Sequence, residues 1–416
     1  MNARQAEEYL LGLELFGMRF GLDRMHKLMT VLGLPQRRFA SIHIVGTNGK
    51  SSTARFCAAI LERHGLRTGS YTSPHLRGFR ERIEVGEEPI TEPDFVAAVA
   101  RAAHAAELVD RTLASDDRVT QFEALTAAAY HELARHGVEV AVVEAGLGGR
   151  FDATNVIPSK VQVLTSVGLE HTRWLGPTLH DIAAEKLAVV RDQATLVTPA
   201  QLDGQVEEVV EGVLLRHRAT RLHAQDDLAA GSQLRARGAF QRQNFALATA
   251  AAAAFLERSL DSCAVVQAAR ETRVPGRMDP VAENPLTIYD GAHNPDGAGA
   301  VADALPEVIG ERRPRVGVLS VLEDKDAAGM LRALLPSFDR VLFTRCANPR
   351  ALPPATLETL AEKLEGPPGE TVSDPHAAVH RARTLAGENG AVLATGSIYL
   401  VADLMRETTD ARASTM

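Results

Sequence analysis

Cysteine is scarce in this chain. Only three occur in 416 residues, Cys57, Cys263 and Cys346. They lie far apart and are odd in number, so they form neither a disulfide frame nor a zinc pattern, and they point to a reducing compartment. A basic excess is also missing. The formal net charge is −8, so no positive field favours nucleic acid. Long apolar runs are absent too: the most apolar stretch, Phe245 to Leu256, is Ala-rich and too short to span a bilayer. The opening MNARQAEEYL carries charges throughout and has no apolar segment of the secretory kind. The expectation is a cytoplasmic protein with neither nucleic acid nor membrane as partner.

What remains is an ordinary globular composition, 45% hydrophobic and 24% charged, on a length that suggests about two or three domains. The chain is organised around Ile42-His43-Ile44-Val45-Gly46-Thr47-Asn48-Gly49-Lys50-Ser51-Ser52. Alternating apolar residues make a short strand. A glycine turn follows, then a helix expected from Ser51 to His64, with Phe56, Cys57, Ile60 and Leu61 at helical spacing and Gly65 at its end. Strand, glycine loop, lysine, hydroxyl and helix make a phosphate-binding loop. Gly46 and Gly49 let backbone N–H groups turn inward, Lys50 supplies a point charge, and Ser51 or Ser52 has a hydroxyl for Mg²⁺. The bland alternative is a glycine-rich turn with a surface lysine.

The remaining pattern is α/β. Leu10, Leu11, Leu13, Leu15 and Phe16 form a first helix ending at Gly17, and another helix follows Gly21. Helices are expected at 92–113, 120–136, 180–190 and 239–256. Val138 to Glu144 reads as a strand buried on both faces, and Val161 to Ser166 as the next one. This rhythm predicts a doubly wound α/β domain. From about residue 285 the strands Leu286–Tyr289, Gly317–Ser320, Arg340–Thr344 and Ala391–Thr395 predict a second, smaller α/β domain. The expected division is 1–284 and 285–416.

Several strand ends carry chemistry. Glu144 ends a buried strand, where open α/β sheets place ligands, and a carboxylate beside a phosphate loop suits Mg²⁺; otherwise it is a salt-bridged strand end. His171, in SVGLEHT, also follows a strand and is either a metal or phosphate contact or a satisfied structural histidine. Lys186 is a surface residue, a cation for phosphate, or the carrier of a CO₂-derived carbamate. Asp290 and His293, in DGAHNP, suit a ribose hydroxyl and a phosphate; the alternative is an Asx/Pro turn.

In chain order, GTNGKSS, YTSPHL, ERIEV, VVEAGLGGRFDATN, TSVGLEHTRWLG, PGR, DGAHNP, SVLEDKD and TGSIYLVADL resemble the folylpolyglutamate synthase/dihydrofolate synthase family of Mur-type amide ligases, over nearly the whole chain. The resemblance implies a Mur-ligase-type ATPase domain and a Rossmann-like C-terminal domain with ATP between them. It implies an amide ligase that activates the carboxylate of dihydropteroate or a folate as an acyl phosphate and adds L-glutamate, acting as a monomer. Gly46, Thr47, Asn48, Gly49, Lys50, Ser51 and Ser52 would hold the ATP phosphates, with Ser52 near the first Mg²⁺. Ser73, Glu144 and His171 would hold a second Mg²⁺. Asn244, Arg277 and Asp290 would contact ATP. Lys186 matches the family's carbamylated lysine. Leu22, Asp23, Arg24, Gln121, Phe122, Glu123, Phe151, Asp152 and Ala153 would line the pterin pocket. Lys50, His171, Lys186 and His293 are the expected catalytic set. Departures are Ser51 for a usual glycine, Glu170 for a usual Asp, Leu187 and Val189 for Ala and Ile, and Phe240 for a frequent His. The rivals are another Mur-type ligase, a P-loop kinase or ATPase, and a nucleotide-binding regulator without catalysis.

Overall fold

In the computed structural model, residues 1–13, 21–226 and 233–406 are described. The expected end of the first helix at Leu15, Phe16 and Gly17 lies outside them. The first sheet contains β1 (Ala40–Val45), β2 (Thr68–Tyr71), β3 (Ile83–Val85), β4 (Glu88–Pro89), β5 (Val140–Glu144), β6 (Val161–Leu164), β7 (Thr195–Thr198) and β8 (Thr220–His223). Its order is β4-β3-β2-β5-β1-β6-β7-β8. Strands β2, β5, β1, β6, β7 and β8 run parallel, and β3 and β4 add antiparallel.

The apolar run in β5 is explained by its central place. Val140 and Val142 face one core and Ala141 and Val143 the other. A period of two on a strand covered on both faces leaves no polar position until Glu144 at the end. One covering layer is the pair of helices Lys50–Arg63 and Ala239–Leu256. Alanines at 246, 248, 251 and 252 are buried there and let the helices approach closely, with Phe56 and Phe245 meeting edge to face at 5.2 Å.

The second sheet contains β9 (Asp279–Glu283), β10 (Leu286–Tyr289), β11 (Arg315–Leu319), β12 (Arg340–Phe343), β13 (Gly369–Thr371) and β14 (Ala391–Thr395), in the order β13-β12-β11-β14-β10-β9. Only β9 is antiparallel in it. Thus the second sheet takes in a strand upstream of residue 285.

The sheet edges β4, β8, β9 and β13 are strands that the sequence pattern does not announce. Their residues are mostly exposed or half-buried, so they need no apolar pattern and carry none. Several expected elements end early, the helix expected at 92–113 among them, at Asp110. The helix expected at 180–190 is Leu179–Leu187, which puts Lys186 in its last turn. Strand β6 stops at Leu164 because Thr165 and Ser166 turn away to bond the phosphate loop: Thr165 Oγ1 donates to Asn48 O at 2.6 Å, and Ser166 O accepts from Thr47 N at 2.8 Å.

Candidate active site

The carboxyl ends of β1, β5 and β6 and the turn after β10 open onto one cleft of about 1210 Å³. The loop after β1 begins the helix at Lys50, with Gly49 as its cap in a left-handed conformation, φ +87°. Its backbone is held from the β6 side, where Ser166 Oγ accepts from Asn48 N at 2.9 Å. A Cβ on Gly49 would lie 2.3 Å from Asn244 Oδ1. Gly49→Ala is therefore strained twice over, by conformation and by contact. A roughly tenfold or greater loss of nucleotide affinity is expected, because the helix N-terminus can no longer present its N–H groups. Calorimetric titration with ADP checks this; unchanged affinity would show that the loop does not hold phosphate.

Lys50 is half-buried and donates to Thr47 O at 3.0 Å. Glu144 is 2% exposed. Its Oε1 accepts from Ser51 Oγ and its Oε2 from Ser73 N, both at 3.0 Å. Burial raises its pKa; Lys50 and these two bonds oppose the rise. Ser73, distant in sequence, is thus brought onto the same carboxylate, and Ser51 takes a place in the group despite departing from the usual glycine. Hydroxyl and carboxylate oxygens are the donors a hard cation such as Mg²⁺ takes, so the residues present fit it. Ser52 is buried in the first helical turn and also lines the cleft.

Lys186 is 4% exposed and donates to Gly46 O at 2.8 Å. Burial, then repulsion from Lys50, lowers its pKa to about 7. His171 stands at φ +53°, just ahead of a short helix. Its side chain is 40% exposed, toward the cleft. Desolvation by the cleft walls, with Lys325, His293 and Lys50 nearby, still brings its pKa down to about 4 against the pull of Glu170. A neutral imidazole is the form that ligates metal.

The second sheet contributes Arg277, Asp290 and His293. Asp290 is buried, and both its oxygens hold turns, accepting from Met278 N at 2.8 Å and Ala292 N at 2.7 Å. Asn244, from the long helix, donates to Gln241 Oε1. His293 Nε2 lies 3.2 Å from Glu170 Oε1.

The expected pterin side is only partly assembled. Arg24, Phe122, Glu123, Phe151, Asp152 and Ala153 line the cleft. Arg24 Nε donates to both Glu123 oxygens at 3.0 Å, and Asp152 is spent on Leu147 N and Thr154 N. Leu22, Asp23 and Gln121 are not in the cleft lining. Leu22 lines a separate groove, Asp23 is exposed in a first helical turn, and Gln121 donates its amide to Leu10 O at 2.8 Å. Helical geometry explains this: successive side chains turn by about 100°, so Arg24, Phe122 and Glu123 reach the cleft while Asp23 and Gln121 point elsewhere, and Leu22 precedes its helix. Sequence reasoning assigns no role to Ser166, Asn294 or Lys325. Each follows a strand end inside a quoted motif, which is the signal that could have found them.

Known proteins resemble this chain in sequence and fold. Residues 276–398 match the model of the Mur ligase, glutamate ligase domain. A dihydrofolate synthase/folylpolyglutamate synthase of Mycobacterium tuberculosis is 38% identical over 382 residues, 83% of this chain and 78% of that protein. The chain belongs to the folylpolyglutamate synthase/dihydrofolate synthase family. Among solved structures, a Mycobacterium tuberculosis folylpolyglutamate synthase complexed with ADP matches with TM-score 0.89 at 33% identity, covering 99% of each chain. A bifunctional folylpolyglutamate synthase/dihydrofolate synthase from Yersinia pestis, complexed with AMPPNP and Mn ion, matches with TM-score 0.84 at 28% identity, covering 97% of each. The Mur-ligase α/β architecture expected from the sequence is thereby established for this synthase. No helix among its described residues is long and apolar enough to cross a membrane.

Proposed function

We propose that the enzyme uses ATP to activate the carboxylate of dihydropteroate, of a folate, or of both, and joins it to the amine of L-glutamate. The observation that carries this reading is one cleft shared by Lys50, Glu144 and Lys186 from the first sheet and Arg277 and His293 from the second. That is the arrangement a reaction with two sequential attacks needs. The substrate carboxylate oxygen attacks the γ-phosphorus, ADP leaves, and an acyl phosphate forms. The glutamate nitrogen then attacks the carbonyl carbon, the tetrahedral intermediate loses a proton and expels phosphate, and the amide remains.

The phosphate loop, Gly46 to Ser52, orients the ATP phosphates, and Lys50 offsets charge on the transferring group. Asn244, Arg277 and Asp290 border the nucleotide. Ser51 or Ser52 would hold one Mg²⁺; Ser73, Glu144 and His171 would hold a second. Bound there, Mg²⁺ would supply positive charge against the phosphates and the developing acyl phosphate. Lys186 carries a carbamate in this reading. Arg24, Phe122, Glu123, Phe151, Asp152 and Ala153 border the pterin. The domains divide as 1–284 and 285–416, with β9 added to the second sheet from just upstream. The chain acts as a cytoplasmic monomer.

The test is phosphate release from ATP with dihydropteroate or tetrahydrofolate, each with and without L-glutamate. Release that requires both pterin substrate and glutamate is expected. Steady release without glutamate would replace the ligase by a kinase or ATPase, and a preference for another amino acid would move it to a different Mur-type ligase.

A further inference from the structure

One carboxylate ties the two sheets together beside the phosphate loop. Glu170 follows β6. Its Oε1 lies 2.8 Å from Lys325 Nζ and 3.2 Å from His293 Nε2, and its Oε2 accepts from Asn294 Nδ2 at 3.1 Å. All these partners come from the second-sheet side. Asn294 in turn trades amide bonds with Asn48 of the phosphate loop, at 3.1 and 3.0 Å. The same Asn294 caps the helix Pro295–Ile309, its Oδ1 accepting from Gly297 N at 2.8 Å. His293 is fixed at its other nitrogen too, with Nδ1 2.9 Å from Gly291 O. The backbone leading to Glu170 is built for this approach: a Cβ on Gly168 would sit 2.2 Å from Asp296 Oδ2, in the first turn of that helix.

We propose that Glu170 is a positioning residue of the ligation reaction, clasping the second domain onto the phosphate loop and aiming His293. It rests on the function proposed above. The Glu170 and Lys325 side chains are 8% and 10% exposed. A pair so dry returns its desolvation cost only when every partner is present, so the cluster acts as a specific latch rather than as general adhesion. In that reading the loop Gly46 to Ser52 grips the nucleotide phosphates while Arg277 and Asp290 only border the nucleotide from the second sheet, so the hold on nucleotide rests mainly on the first sheet, whereas turnover needs both. Loss of the clasp therefore shows in kcat and not in the hold on nucleotide.

The experiment uses the full chain with Glu170→Gln, Glu170→Asp, Lys325→Met and the double variant Glu170→Gln/Lys325→Met. Glu170→Gln and Lys325→Met should each lower kcat by about tenfold or more while ADP affinity shifts by less than about threefold. The double variant should be no worse than the poorer single one, because both remove the same contact. Glu170→Asp, which keeps the charge, should recover most of the loss. Small-angle scattering should show Glu170→Gln expanded relative to the parent. Turnover within about twofold of the parent, additive losses, ADP affinity falling in step with kcat, or an unchanged scattering radius would each overturn the clasp. If Glu170→Gln does not fold, Lys325→Met decides by the same kinetic and scattering criteria. If the parent itself forms no amide from folate and glutamate, the proposed function fails, and scattering with ADP affinity still judges the clasp.

Discussion

Lys50→Ala is expected to abolish most turnover in a protein that still folds. Lys50 opens the helix Lys50–Arg63, and its ammonium donates to Thr47 O at 3.0 Å. Alanine is the best helix former, so the local backbone tolerates it. What disappears is the point charge that the phosphate loop itself carries. Removing a positioned electrostatic donor costs about 10²–10³ in rate by comparison with oxyanion-hole residues. A second consequence follows from the repulsion between Lys50 and Lys186: without Lys50, the Lys186 amine becomes easier to protonate. Phosphate release together with a thermal melt checks the prediction. A folded variant turning over at near-parent rate would remove the phosphate-loop assignment.

The other large effect is expected at Lys186. Its surroundings suit a carbamate, since that modification needs a neutral amine attacking CO₂. Burial and Lys50 lower the pKa to about 7, so a substantial neutral fraction exists at neutral pH. On an ordinary lysine, with a pKa of about 10.4, almost none would. An ammonium at this position would repel a divalent cation, whereas a carbamate reverses the sign. Lys186→Ala should lose about 10²-fold or more of the activity, by the same electrostatic argument. Formate or acetate should restore part of it by supplying the missing carboxylate. Carbamylation should weaken below pH 7 as the amine protonates, and parent activity should fall in CO₂-free buffer. Rescue by small amines and not by carboxylates would instead make Lys186 a cation for phosphate.

The buried half of this protein is legible in its amino-acid sequence. β5 carries apolar residues on both faces because both faces are covered, and the helix Ala239–Leu256 has the ends expected of it, its Ala-rich run from Phe245 to Leu256 supplying the buried face. The edges are not legible. β8 and β9 are held by backbone pairing to one neighbour with mostly exposed side chains, and backbone hydrogen bonds leave no side-chain signature. The site divides in the same way. Lys50, Glu144 and His293 are legible because strand ends in glycine-rich turns are where α/β sheets place ligands. Leu22, Asp23 and Gln121 belong to motif blocks that read as single units, but a helix turns adjacent side chains to different faces.

By itself, then, the sequence determined which residue types stand at the ends of which buried strands, and with them the family and the chemistry it points to. Only the tertiary structure decided which of those ends meet. Ser73 reaches Glu144 because β2 lies beside β5, although the two partners are 71 positions apart in the chain. Glu170 reaches Lys325, 155 positions away, because loops from two separate sheets border the same cleft. Periodicity reports whether a side chain is covered; it carries no information on what covers it. Strand order and domain apposition are set by how whole faces pack, and that is a property of the assembled chain.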